Sequence, residues 1–176
     1  FCGVVGFKTS KGRVSTDRCF ALSRTQDTLG PLARSVEDCA LIFNVLTGQP
    51  DRPMEICALE QLIILVPEGF VMDGLAPSVV AAFESSLKGL ERAGVRIRCQ
   101  PIPALDTAAA MLRDLGSIVA ADAFHEHRKI MDSSDADHMD QRVRARIEIG
   151  RSMSAADLVA LQRQRALGMQ EIRTAL

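Results

Sequence analysis

The sequence predicts an α/β fold with one βαβ unit and a helical C-terminal half. Three observations carry that reading. Leu62-Ile63-Ile64-Leu65-Val66 is a wholly apolar run ended by Pro67, the pattern of a strand buried on both faces. Val80, Phe83, Leu87 and Leu90 then keep helical period between Pro77, a first-turn proline, and Gly94, a closing glycine. Val95–Cys99 follows as a second strand, and strand, helix, strand at this spacing means parallel strands with a right-handed crossover.

The elements follow in chain order. Gly3 and Gly6 among Val4, Val5 and Phe7 suggest a buried segment or short strand whose backbone lies close against something else. Lys8–Gly12 is a turn, Arg13-Val14-Ser15 a short extended return, and Thr25–Pro31 a loop set by Gly30-Pro31. Ser35-Val36-Glu37-Asp38 resembles a capping box with Asp in the Glu/Gln place. Val36, Cys39, Ala40, Phe43 and Leu46 then form one apolar stripe up to Gly48. Asp51–Glu60 is a loop. Beyond the βαβ unit the spacing predicts one helix from Ala104 to about Met131, interrupted only by Gly116, and a polar loop over Met131–Asp140. A short basic helix runs over Asp140–Gly150. A last helix is capped at Ser154-Ala155-Ala156-Asp157 and carries Leu158, Leu161, Met169, Ile172 and Leu176 on one face. Phe1 and Leu176 both read as cut edges, so residues 1–176 are expected to be a single domain that is a fragment of a larger one.

Composition narrows the classes. The 176 residues are 47% hydrophobic and 24% charged, with a net charge of −1, enough for a real core and unlike a disordered chain. Near-neutral charge without a Lys/Arg block argues against a nucleic-acid or membrane-surface partner. The longest apolar run is far too short to cross a bilayer. Five widely spaced cysteines without a CxxC are expected to be reduced, mostly buried thiols of a cytoplasmic protein. Trp and Tyr are absent, which disfavours a stacked-aromatic platform.

Several clusters invite a chemical reading, and each has a plainer one. His125 and His127 flank Glu126, but residues two apart on a helix point about 200° apart and cannot share one ion; with His138 they are read as a wet surface, and no metal is expected. Lys8 and Lys11 near Ser10 and Ser15 suggest a Ser–Lys pair, yet such residues crowd any exposed turn. Asp27 and Asp38 with Glu37 are candidate acid–base carboxylates; Asp38 already caps a helix, and a carboxylate in a Gly-Pro loop usually bonds backbone amides. Arg142, Arg144 and Arg146 spread around their helix as a solvated face or an intersubunit contact. Gly3 and Gly6 lack the Gly-Lys-Ser/Thr of a phosphate loop, and nothing calls for a cofactor.

The first 46 residues go further. Phe1-Cys2-Gly3-Val4-Val5-Gly6-Phe7-Lys8, Gly12-Arg13-Val14-Ser15 and Asp27-Thr28-Leu29-Gly30-Pro31-Leu32-Ala33-Arg34-Ser35-Val36-Glu37-Asp38 resemble, in order and spacing, the middle of the amidase signature family. Val66-Pro67-Glu68-Gly69 and the Arg142–Gly150 helix are similar to its bacterial amidase and amidotransferase-A-like branch. The resemblance implies a mixed β-sheet wrapped by helices. It also implies hydrolysis of C–N amide bonds by a Ser–cis-Ser–Lys triad, with backbone amides holding the oxyanion. By the family's order all three triad residues lie upstream of Phe1, so this chain is expected to hold no catalytic residue and to be inactive alone. Arg13, Asp27, Thr28, Gly30, Pro31, Arg34 and Asp38 match positions that support the catalytic loop. Lys8-Thr9-Ser10 departs from the family's usual Lys-Pro-Thr, which removes a fixed turn.

The resemblance implies an amidase acting on a small amide, without nucleic acid or membrane; the substrate-selecting residues lie mostly elsewhere. The alternatives are an amidotransferase A subunit, which would need partner subunits and tRNA, and a truncated, non-catalytic piece that associates with itself as a homo-oligomer or with a fuller relative.

Overall fold

In the computed structural model every residue is described except Phe1, Asp51 and Met54. The elements in chain order are β1 (Val5–Gly6), β2 (Leu32–Ala33), α1 (Val36–Leu46), β3 (Ile63–Glu68), α2 (Pro77–Arg92), β4 (Arg96–Pro101), α3 (Pro103–Leu115), α4 (Ile118–Met131), α5 (Gln141–Ser152) and α6 (Ala155–Ala175). Single 3₁₀ turns lie at Leu59–Gln61, Phe70–Met72 and Ser134–His138. The expected α/β class is observed. Both senses of strand pairing occur, in two separate two-stranded sheets. Contacts group the chain into two compact units, Phe1–Glu55 with Ile118–Ser152, and Ile56–Ser117 with Met153–Leu176.

In the first unit β1 and β2 pair antiparallel, Val5 opposite Ala33 and Gly6 opposite Leu32. Ser35 begins α1, its side chain accepting from the Asp38 amide at 3.0 Å. Gly48 adopts a positive φ of 72°. Its amide and that of Gln49 close back on Val45 and Asn44, the paired bonds of a glycine-terminated helix. The apolar stripe of α1 is buried only at its centre: Cys39 is covered, while Val36 and Leu46 are exposed at the two ends. Cys39 is also the only buried cysteine; Cys2, Cys19, Cys57 and Cys99 are exposed, contrary to expectation. Arg13-Val14-Ser15 forms no strand, although Val14 is buried.

Helices α4 and α5 pack on each other around Ala123, Met131 and Ile147, with Phe124 and Met139 at the margin. The approach is close because of Gly150, on which a Cβ would stand 2.1 Å from the Ala120 carbonyl oxygen.

In the second unit the βαβ unit is present, with β3 parallel to β4 and Ile63 opposite Arg96. Two expectations need correction. The strand runs through Pro67 to Glu68, and only Val66 on it is buried, Ile63 being 50% exposed. In a two-stranded sheet both strands are edges, where a proline without an N–H is tolerated. Likewise the helix expected over 104–131 is two helices. Gly116 takes a φ of 84°, a left-handed conformation that a helix cannot continue through.

Helix α2 starts at Pro77 and ends at Arg92, with Gly94 just beyond it and the amides of Gly94 and Val95 closing on Glu91 and Leu90. Helix α6 opens on a complete capping box between Ser154 and Asp157 and packs on α3. Its covered face holds Leu158, Leu161 and Ile172 together with Gly168, which lies against Ala104. Met169 and Leu176 are exposed, a shift of one position from the expected face.

Candidate functional site

The first and third of the sequence blocks in residues 1–46 meet at one crossing. The Phe7 amide donates to the Pro31 carbonyl at 2.9 Å. Beside it Gly30 lies against the Phe7 carbonyl so closely that a Cβ would stand 2.0 Å from the oxygen. Thr9 is 3% exposed and its hydroxyl donates to the Leu29 carbonyl at 2.8 Å. The position that forgoes a proline's fixed φ therefore carries a buried hydrogen bond tying the turn to the loop. Cys39, from α1, places its thiol 3.5 Å from the Val5 carbonyl, and Phe7 meets Phe43 edge-on at 5.2 Å between ring centres.

Asp27 stands just before this crossing. Its carboxylate accepts from the amides of Leu22 and Ser23 at 3.0 and 3.1 Å, the loop-bonding role expected of it. Lys11 donates to the carbonyls of Arg24 and Asp27 at 2.6 and 3.0 Å, and Lys8 to the carbonyl of Thr9. The Ser15 hydroxyl accepts from the Asp17 amide, so Lys8, Lys11 and Ser15 brace backbone and do not form a Ser–Lys pair. Thr28 is half-buried and Pro31 buried. Asp27, Thr28, Gly30 and Pro31 thus come together. Asp38 sits apart at the start of α1, Arg34 is exposed, and Arg13 lines an open recess of about 290 Å³ with Phe43, Asn44 and Arg52.

Reading the sequence missed how the segment Phe20–Asp27 is held. Asp122 of α4 accepts from the Ser23 hydroxyl at 2.6 Å, from the Thr25 hydroxyl and from the Thr25 amide at 3.2 Å, all on one oxygen. Burial raises the Asp122 carboxyl, but the bonds from Ser23 and Thr25, with His125 nearby, outweigh it and hold the group below its ordinary value. One turn on, Glu126 receives the Arg24 guanidinium at 3.0 Å on both oxygens. His127 stacks on Phe20 at 5.0 Å and places Nε2 2.8 Å from the Ala21 carbonyl. A carbonyl only accepts, so Nε2 carries the proton. Glu126 and His127 are engaged in these bonds, and among the described residues no group of three His, Cys, Asp or Glu could hold a metal ion. Only a local excess of Ser, Thr and Asp in residues 23–28 could have hinted at the cluster.

The Arg142 and Arg144 side chains pair with Asp140 and Asp137. The bonds from Arg142 to Asp140 lower the carboxyl and raise the guanidinium. Chemically, the described residues form a frame: Ser23 is fully buried, out of reach of a substrate, and its hydroxyl is spent on the Asp122 carboxylate. No helix among the described residues is long and apolar enough to cross a membrane.

The frame has relatives. The A subunit of glutamyl-tRNA(Gln) amidotransferase from Chlamydia abortus is 39% identical over 133 residues, covering 69% of this chain and 27% of that protein. Its counterpart from Clostridium botulinum strain Hall is 31% identical over 134 residues, 69% of this chain and 28% of the relative. The chain thus spans about a quarter of the curated relatives it matches. Among solved structures, an amidase superposes with a TM-score of 0.84 at 27% identity, over 99% of this chain and 38% of that one. An allophanate hydrolase of Kluyveromyces lactis shares the fold with a TM-score of 0.63 at 16% identity, over 82% of this chain and 25% of its own. The Amidase family model matches residues 1–176, which takes in the Phe7–Gly30 crossing and both compact units, and the chain belongs to that family.

Proposed function

We propose that the complete protein hydrolyses the C–N bond of a small amide through a serine acyl-enzyme, and that residues 1–176 supply the support behind its catalytic loop. The observation that carries this is the superposition of 99% of the chain on a solved amidase, with the Gly30–Phe7 crossing inside the matched region. Asp27, Thr28, Gly30 and Pro31 hold the backbone behind the loop, and Arg13, Arg34 and Asp38 flank it. The nucleophile, its bridging serine and the lysine base belong to the part of the family's order that precedes residue 1. Acyl transfer then proceeds as serine attack, loss of the amine or ammonia, and hydrolysis of the ester. Five unpaired thiols, four of them exposed, support a reducing, cytoplasmic setting.

The test is to isolate the protein from its natural source, weigh it intact and treat it with a fluorophosphonate. A chain heavier than 19.1 kDa that takes up one equivalent, and that forms a hydroxamate from an amide and hydroxylamine, is the expected result. The 176-residue chain alone should take up none. A natural protein that neither labels nor turns over any amide would sink the reading.

A second reading, an amidotransferase A subunit, draws on the names of the relatives at 31% and 39% identity. It predicts that glutamine hydrolysis rises only when partner subunits and a charged tRNA are added. The near-neutral charge of this chain favours the stand-alone amidase.

A further inference from the structure

The segment Phe20–Asp27 is a tongue gripped from two sides. On one side, a single stretch of α4 takes hold of five of its residues: His127 takes Phe20 and Ala21, Asp122 takes Ser23 and Thr25, and Glu126 takes Arg24. On the other, the Lys11 ammonium donates to the carbonyls of Arg24 and Asp27. Ser23 is the node. Its hydroxyl goes to Asp122, its amide to the Asp27 carboxylate, and its carbonyl accepts from the amides of Gln26 and Asp27 at 2.8 and 2.7 Å. From Asp27 the chain enters Leu29, bonded to buried Thr9, and then Gly30 and Pro31 against Phe7. A continuous run of hydrogen bonds and backbone contact joins a carboxylate on α4 to the crossing nearly a hundred residues earlier in sequence.

Three donors converge on one Asp122 oxygen, a load suited to a carboxylate with its several lone-pair sites and negative charge. Ser23 has no exposure at all, so water cannot replace the lost acceptor. We infer that Asp122 is a positioning residue: by anchoring Ser23 it fixes the Asp27 carboxylate and, through Leu29–Pro31, the seat of Gly30 against Phe7. Its consequence for catalysis rests on the amidase reading; its consequence for the crossing does not. The exposed Arg24–Glu126 pair contributes little by comparison, as solvated ion pairs do.

The experiment uses the purified natural protein and the variants Asp122→Ala and Asp122→Asn. Ser154→Ala, a cap in the other compact unit, serves as a stability control. Residue-resolved hydrogen exchange and steady-state kinetics are read on each. Asp122→Ala should speed exchange of the Ser23–Asp27 amides and of the Phe7 amide by about tenfold. It should also lower kcat with KM changed less. Asp122→Asn, which keeps one oxygen acceptor, should fall between it and the parent, and Ser154→Ala should leave both readouts alone. Loosening of Ser23–Asp27 with an unchanged Phe7 amide would overturn the inference, because tongue and crossing would then be independent. So would an unchanged kcat in Asp122→Ala when the parent is active. A parent that hydrolyses no amide refutes the amidase reading alone, and the Phe7 amide still decides the positioning role.

Discussion

Gly30 touches the carbonyl of Phe7 at a distance that leaves no room for a side chain, since a Cβ there would stand 2.0 Å from the oxygen and 3.1 Å from the carbon. The obstacle is backbone on both sides, so nothing flexible can yield. Gly30→Ala should therefore lower stability by about 3 kcal/mol and weaken the Phe7–Pro31 bond. Gly89→Ala, in α2 with open space around it, should stabilise by about 0.5–1 kcal/mol. Urea unfolding of the two variants checks both signs; a neutral Gly30→Ala would show that the crossing has slack.

Gly150 makes the same point between helices. A Cβ at that position meets the Ala120 carbonyl at 2.1 Å and the Phe124 Cβ at 2.8 Å, so Gly150→Ala must push α5 away from α4. The expected loss is about 2–3 kcal/mol, felt by the Ala123, Met131 and Ile147 cluster. Near-ultraviolet signals of Phe124 and thermal unfolding would register it, and an unshifted transition would count against the close crossing.

Caps offer a graded series. Ser35 supplies one half of a capping box and Ser154 belongs to a complete one, so Ser154→Ala should be the more destabilising, with each costing about 1 kcal/mol. Helix α3 has no side-chain cap of its own; Glu171 of α6 accepts from the Ala104 amide at 3.2 Å instead. Glu171→Ala should cost about 1 kcal/mol and Glu171→Gln less, because the amide oxygen still accepts. Equal losses for the two Glu171 variants would show that charge, and not the bond, matters there.

Acid should undo the Asp122 anchor in a defined window. Its folded carboxyl lies below its unfolded value, which is about 3.9. A depressed acid contributes stability that is fully present above the unfolded value and disappears as pH falls through the folded one. The stability gap between the parent and Asp122→Ala should thus be flat above about pH 5 and narrow steadily below about pH 4. Denaturant midpoints measured from acid to neutral pH test it, and a gap that widens toward acid would contradict the assignment.

Much of this molecule follows from short-range chemistry. Ser35, Gly48, Pro77, Gly94 and Ser154 bound their helices as their types require, because a cap acts on amides or carbonyls within a few residues. The parallel β3–β4 pair follows from an apolar run, a helix and a second run in order. The resemblance of residues 1–46 to the amidase signature pointed to Arg13, Asp27, Thr28, Gly30, Pro31, Arg34 and Asp38 as a set, and local chemistry alone gave Asp27 its bonds to backbone amides. What the tertiary structure alone decided lies at long range. Which face of β3 is covered, why four of five cysteines are exposed, and that Gly116 splits one helical pattern between two compact units depend on what packs nearby. Ser23 and Asp122 are 99 positions apart, and neither residue carries any local mark of the other. Periodicity reports which side of an element is apolar; only the folded chain determines which partner reaches it.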